Sequence, residues 1–245
     1  NPVPDSLDNL NAQLDIIKRD SEIRILPFGS ITRGQNGLAL ADLEELAPFV
    51  CGFSDDGRGV DNSSLMKEAM QRAKALDKLI SAHCEDGTQI KDSPEAEWKQ
   101  IERDIKLVDD IKCKYHVCHI STKESVALIR EAKKSGVNIT CETAPHYLTL
   151  SQSVIRDEGG FRMNPPLREE EDRIALIEGL CDGTIDMIAT DHAPHSAEEK
   201  SKGLKSLNGI VGLECAFPIL YTRLVKEGII SLEKLVELMA VNPYA

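Results

Sequence analysis

Four apolar runs of this chain end on carboxylates or imidazoles: CGFSDDG at Asp55 and Asp56, LISAHCED at His83, YHVCHIS at His119 and MIATDHAPH at Asp191. Two imidazoles and two carboxylates make a mixed nitrogen and oxygen set suited to zinc or a related divalent ion, and positions left open on such an ion admit a water. A metal lowers the pKa of that water to about 7, so hydroxide becomes available at neutral pH. The reaction class implied is hydrolysis of an amide-like or ester-like bond. A Ser or Cys nucleophile fits less well, because no G-x-S-x-G elbow occurs and Cys84 points to the side of its strand opposite His83. Taken singly, each residue has a plainer reading: His83 and His119 as hydrogen-bonded core histidines, Asp55-Asp56-Gly57 as a turn, Asp191-His192 as a loop cap. Their combination is what argues for a site. His116, alternating with Val117 and Cys118, reads as structural, and His146 at a strand end reads as a pocket or supporting residue.

Such residues meet only if the fold brings several strand ends to one mouth, as parallel α/β proteins do. The intervals Asp56 to His83 and His83 to His119 are 27 and 36 residues, each about one strand, one helix and two loops. Ser6 is placed to cap a helix with Leu7, Leu10, Leu14 and Ile17 at helical spacing, ending near Asp20. A strand from Ile23, broken after Phe28, a short acidic helix from Leu40 to Ala47 and a strand from Val50 to Phe53 follow. Then helix and strand alternate: helix Ser64 to Leu76, strand KLISAHCE, helix Pro94 to Asp110, strand KYHVCHI, helix Lys123 to Ser135 closed by Gly136, strand VNITCETA. Beyond an irregular stretch from Ser151 to Arg168, a helix from Glu171 to Leu180 leads into TIDMIATDH, with further helices from Leu213 to Glu227 and Leu232 to Ala240.

Nearly continuous apolar strands separated by helices indicate a parallel sheet covered on both faces. Neither a G-x-G-x-x-G after a strand nor a G-x-x-x-x-G-K-[ST] occurs, and functional residues on four strand ends favour a (β/α)8 TIM-type barrel over an open doubly wound sheet. Six strands fall two short of eight. The chain also opens at NPVPDS without Met, so the expectation is a fragment: one domain over residues 1–245, an incomplete barrel.

Composition bounds the partners. With 41% hydrophobic and 29% charged residues the chain can bury a full core, and its formal charge of -12 supplies no basic face for nucleic acid. A small anionic substrate stays open. Seven cysteines without a C-x-x-C pair, with Cys51, Cys84, Cys118 and Cys141 inside apolar runs, read as reduced residues of a cytoplasmic protein. No apolar run reaches the roughly 18 residues of a membrane span.

The segments AHCEDG, HVCHISTKESVALIREAK, TCETAPHYLTL, FRMNPPLR and DGTIDMIATDHAPHSAEEK resemble, in order and approximate spacing, bacterial type I dihydroorotases of the cyclic amidohydrolase superfamily. The resemblance implies a zinc-bearing barrel that interconverts N-carbamoyl-L-aspartate and L-dihydroorotate. By it, Asp56 matches the carboxylate bridging two metals, His83 and His119 match imidazole ligands of one of them, and Asp191 matches the residue that binds metal and shuttles the proton. Asn164 and His195 match substrate-contacting positions. By the same resemblance, Asp at position 56, where hydantoinases and some dihydroorotases use a carboxylated lysine, favours the bacterial type I group over hydantoinase or allantoinase. The family's His-x-His pair and its substrate-gripping arginine have no counterpart here, nor does its small β domain. At most one of the two zinc ions would therefore be well ligated, and this chain alone is expected to be weak or inactive. A homodimer or a carbamoyltransferase partner is a further expectation, and a non-catalytic dihydroorotase-like scaffold is the alternative from outside enzymology. The glycine-rich stretch from Gly203 to Gly212 reads as a lid or a plain connector.

Overall fold

The computed structural model describes residues 2–244 and contains six strands: β1 (Phe28–Gly29), β2 (Gly52–Phe53), β3 (Leu79–Ala82), β4 (Lys114–Val117), β5 (Ile139–Thr143) and β6 (Met187–Ile188). They pair in sequence order, every neighbour parallel. An order that never reverses has no switch point, which is the winding of a barrel rather than of a doubly wound sheet. Six parallel strands with intervening helices match the incomplete barrel expected from the sequence.

The helices start where the sequence offers a cap. Ser6 caps α1 (Leu7–Asp20), and α2 (Leu43–Leu46) precedes β2. The Asn62 side chain accepts from the Ser64 and Leu65 amides at 3.0 and 3.1 Å to open α3 (Ser63–Ala75). Ser93, followed by Pro at the first helical position, opens α4 (Pro94–Ile111), and Thr122 opens α5 (Lys123–Lys134). Gly136, at φ 80°, ends the turn after α5.

Four local expectations shift. The strand from Ile23 contracts to Phe28–Gly29, because Ile23, Ile25 and Leu26 stay exposed and find no strand to pair with. The acidic helix shortens to α2. A helix not anticipated, α6 (Pro145–Thr149), follows β5, Pro145 having the fixed φ that suits a first turn. After α7 (Glu170–Cys181), the last two helices, α8 (Ala216–Leu220) and α9 (Leu232–Val236), each relax into a π-type turn at 221–225 and 237–241.

Alternation along the strands divides their side chains into two layers. Ile80, Ala82, Tyr115, Val117, Ile139 and Cys141 are buried in the core under the helices. Leu79, Ser81, His116, Cys118, Thr140 and Glu142 line the opposite face, a cavity of about 920 Å³. The register sets Ser81 beside His116 and His116 beside Thr140, so polar side chains stack across three strands on that face. None of the described helices is long and apolar enough to cross a membrane, and all seven cysteines are free.

Candidate metal centre

His83 follows β3 on the same parity as Leu79 and Ser81, so alternation alone sets its direction, and beyond the strand end it lines a small pocket with Glu85 and Asn164. His119 breaks the alternation. Strict alternation after His116 and Cys118 would send it outward, but its φ of 34° lies in the left-handed region and turns it back. The result is direct contact: His83 Nδ1 lies 3.0 Å from His119 Nε2, with ring centroids 4.8 Å apart and ring planes at 71°. Asp191, after β6, sits at φ 49°. Left-handed conformations cost a non-glycine residue about 1–3 kcal/mol and gather at functional sites.

Around this pair the other expected residues take different stations. Asp55 and Asp56 part company. Asp55 is buried and accepts from the amides of Ile31 and Thr32 at 2.8 and 3.0 Å, and from the Thr32 hydroxyl, fastening the segment after β1. Asp56 is exposed and lines the cavity. Asp191 is partly buried, and burial first raises its carboxyl pKa; the charges of Asp56 and Glu142 push the same way, while His119 and His83 oppose them. Burial lowers the His119 pKa, the neighbouring His83 lowers it further, and Asp191 counters. Asp191 thus stands within the field of both imidazoles, although it forms no hydrogen bond to either among the described residues.

Asn164 approaches from the loop before α7. Its amide donates to Glu85 Oε2 at 2.9 Å, and the same carboxylate oxygen lies 3.3 Å from His83 Nε2. The His83 contact is the main reason the Glu85 pKa falls to about 2. A carboxylate on Nε2 favours the proton there and leaves the Nδ1 lone pair on the side of His119. His195 points elsewhere: its Nε2 bonds the Asn208 carbonyl at 2.8 Å and its Nδ1 lies 3.6 Å from Glu199. Both of these partners belong to the segment that follows it in the chain. The stretch 203–212 is itself pinned. Gly209 donates to the Arg162 carbonyl at 3.0 Å, Leu204 to Asp157 at 3.0 Å, and the Gly212 amide to His192 Nδ1 at 2.9 Å.

The His83–His119 pair fits a shared cation. Two nitrogens each about 2.0–2.1 Å from one tetrahedral ion lie roughly 3.3 Å apart, close to the 3.0 Å between His83 Nδ1 and His119 Nε2. His146, on α6, is buried with an unpartnered Nε2; burial, then the charge of His119, takes its pKa to about 3.

Sequence reasoning missed a second group. His116, read as structural, shares the cavity face with Cys118 and Glu142, and their ligand-type atoms lie within 4.8 Å of one another, a possible metal site. No other His, Cys, Asp or Glu trio among the described residues is as tight. Its members are nonetheless satisfied internally: His116 Nδ1 meets Thr140 Oγ1 at 2.8 Å, Nε2 meets Glu142 at 3.2 Å, and Cys118 meets Ser81 Oγ at 3.0 Å. The signal was available, since positions 116 and 118 share a parity and Glu142 lies on the adjacent strand. Glu85 was legible in the same way, two residues beyond His83.

The Amidohydrolase family profile matches residues 25–245. The chain belongs to the amidohydrolase family. It is 51% identical to the dihydroorotase of Fusobacterium nucleatum subsp. nucleatum, over 99% of this chain and 61% of that protein. It is 47% identical to a Staphylococcus epidermidis dihydroorotase, over 99% and 62%. The chain therefore spans about three fifths of the length of these curated relatives. Among solved structures, an L-hydantoinase (dihydropyrimidinase) from Arthrobacter aurescens superposes with a TM-score of 0.87 at 26% identity, over 99% of this chain and 60% of that one. A D-hydantoinase from a Bacillus sp. at 23% identity and TM-score 0.82 shares the fold.

Proposed function

We propose that the protein is a zinc-dependent dihydroorotase, catalysing reversible hydrolysis of L-dihydroorotate to N-carbamoyl-L-aspartate in the cytoplasm, with its single barrel domain represented here in part. The 3.0 Å approach of two buried imidazoles from strand ends 36 residues apart carries the reading. The 51% identity to a dihydroorotase supports the choice of substrate.

His83 and His119 would hold the ion, with Asp56 and Asp191 supplying carboxylates. Bound there, zinc supplies Lewis-acid polarisation of the ring carbonyl and a water acidic enough to attack at neutral pH. The proton belongs to Asp191. A carboxyl whose pKa burial raises takes the proton from the attacking water more readily and returns it to the ring nitrogen as the C–N bond breaks. Asn164, with an amide beside His83, is placed to bind the substrate's amide edge, and His195 to bind its carboxylate once released from Asn208. The apolar side chains of Leu213, Phe217, Leu232 and Val236, all exposed, suit a homodimer or a carbamoyltransferase partner.

The test is ring opening of dihydroorotate by the zinc-loaded whole protein. Asp191→Asn should lose about 100-fold or more in turnover, as removal of a general acid-base group does, and His83→Ala should lose zinc as well. Undiminished turnover in either contradicts the proposal. A second reading, a hydantoinase, draws on the 0.87 TM-score to the Arthrobacter aurescens enzyme, and preferential opening of hydantoin rings in a substrate panel would select it.

A further inference from the structure

We infer that Glu97 is a positioning residue for the metal centre, its buried carboxylate holding the loop after β4 in the conformation that aims His119 at His83; the inference rests on the reading of His119 as a ligand. Glu97 lies on the inner face of α4 and is 3% exposed. It accepts from the Ser121 and Thr122 amides at 2.9 and 3.1 Å, from the Thr122 and Ser125 hydroxyls at 3.0 and 2.7 Å, and from the Ser121 hydroxyl. Five donors from residues 121–125 thus converge on one carboxylate. Arg168 balances its charge from 3.9 Å and donates from Nε to Ser121 Oγ at 3.0 Å.

The first of those donors lies two residues beyond His119. On the near side, the Ile120 amide donates to the Glu142 carbonyl at 2.8 Å and the Thr143 hydroxyl to the Ile120 carbonyl at 2.9 Å. The chain from 120 to 122 is therefore held from both directions, and His119 has little room to leave its left-handed conformation. Released, that residue would gain by relaxing to an extended φ, where strand alternation carries its ring away from His83.

The chemistry requires a carboxylate. Five donors need the lone pairs of two oxygens; glutamine offers one oxygen and turns its NH2 group toward donors. A leucine would leave every donor buried and unpaired. If Glu97 merely stabilised the start of α5, its loss would lower stability and leave metal affinity alone. A positioning role lowers affinity out of proportion to stability.

The experiment is a cobalt(II) titration of the metal-stripped protein followed by visible absorption, with urea unfolding of each variant. Glu97→Gln should weaken cobalt binding about 10- to 100-fold, the usual cost of losing a group that orients a ligand. Asn62→Ala, which removes the cap of α3 and touches neither Glu97 nor the loop after β4, should lose stability and bind cobalt like the parent. Cobalt affinity in Glu97→Gln equal to that of the parent overturns the role. Should Glu97→Gln fail to fold, Ser121→Ala removes one of the five donors, and parent-like affinity there overturns it equally. Cobalt binding that survives His119→Ala sinks the ligand reading itself, and this role with it.

Discussion

His83 Nδ1 and His119 Nε2 stand 3.0 Å apart, yet they reach that distance by different routes. His83 arrives by strand alternation, and His119 by a left-handed turn that breaks it. One ligand follows from the strand and the other depends on its loop, so substitutions around the two have different signatures.

Around His83 the sensitive neighbour is Glu85. Its carboxylate lies 3.3 Å from His83 Nε2 and orients that ring, so Glu85→Gln should weaken zinc binding by about 10- to 100-fold, read by competition with a chromogenic chelator. Unaltered zinc affinity would remove Glu85 from the site.

The adjacent aspartates should behave as opposites. Asp55→Ala leaves two amides and a hydroxyl without their acceptor and should cost about 2–4 kcal/mol of stability in urea unfolding. Asp56→Ala, at an exposed position, should change stability by less than about 0.5 kcal/mol while depressing turnover. Equal stability losses in both would refute the division of labour.

Acid should destabilise the metal-free protein through His146. Its folded pKa of about 3 lies below the usual histidine value near 6.5, so between these values the unfolded chain binds a proton that the folded chain refuses. Stability is then present above pH about 6.5 and falls as pH drops, by up to about 1.4 kcal/mol per pH unit from this one ring. Urea unfolding at pH 7 and pH 5.5 in the presence of chelator should show the slope, with His119 adding to it in the same direction. A His146→Phe variant should flatten it, and an unchanged slope would place the titration elsewhere.

How much of this was readable in the sequence depends on the range of the interaction. Caps at Ser6, Ser93 and Thr122, and the parity that turns His83 inward, are local and could be read from spacing. The inward turn of His119 could not, because periodicity assigns the cavity face to Cys118, and only the tertiary hold of Glu97 and Glu142 on the loop reverses it. Glu97, Gln100 and Asp104 lie at helical spacing and are all buried. A polar triplet of that kind reads as a solvated stripe until the partners that need a carboxylate inside are known. The parting of Asp55 from Asp56 was likewise invisible, since it is set by amides of residues 31 and 32, more than twenty positions away.

Whether His83 and His119 together hold the catalytic ion is read from X-ray absorption at the zinc edge of the loaded protein. The prediction is a nitrogen and oxygen shell at about 2.0–2.1 Å with imidazole outer scattering and no sulfur, lost in the His83→Ala/His119→Ala double variant. A sulfur scatterer at about 2.3 Å that disappears with Cys118→Ser would put the ion at His116, Cys118 and Glu142 instead, and would rule out the histidine pair as its holder.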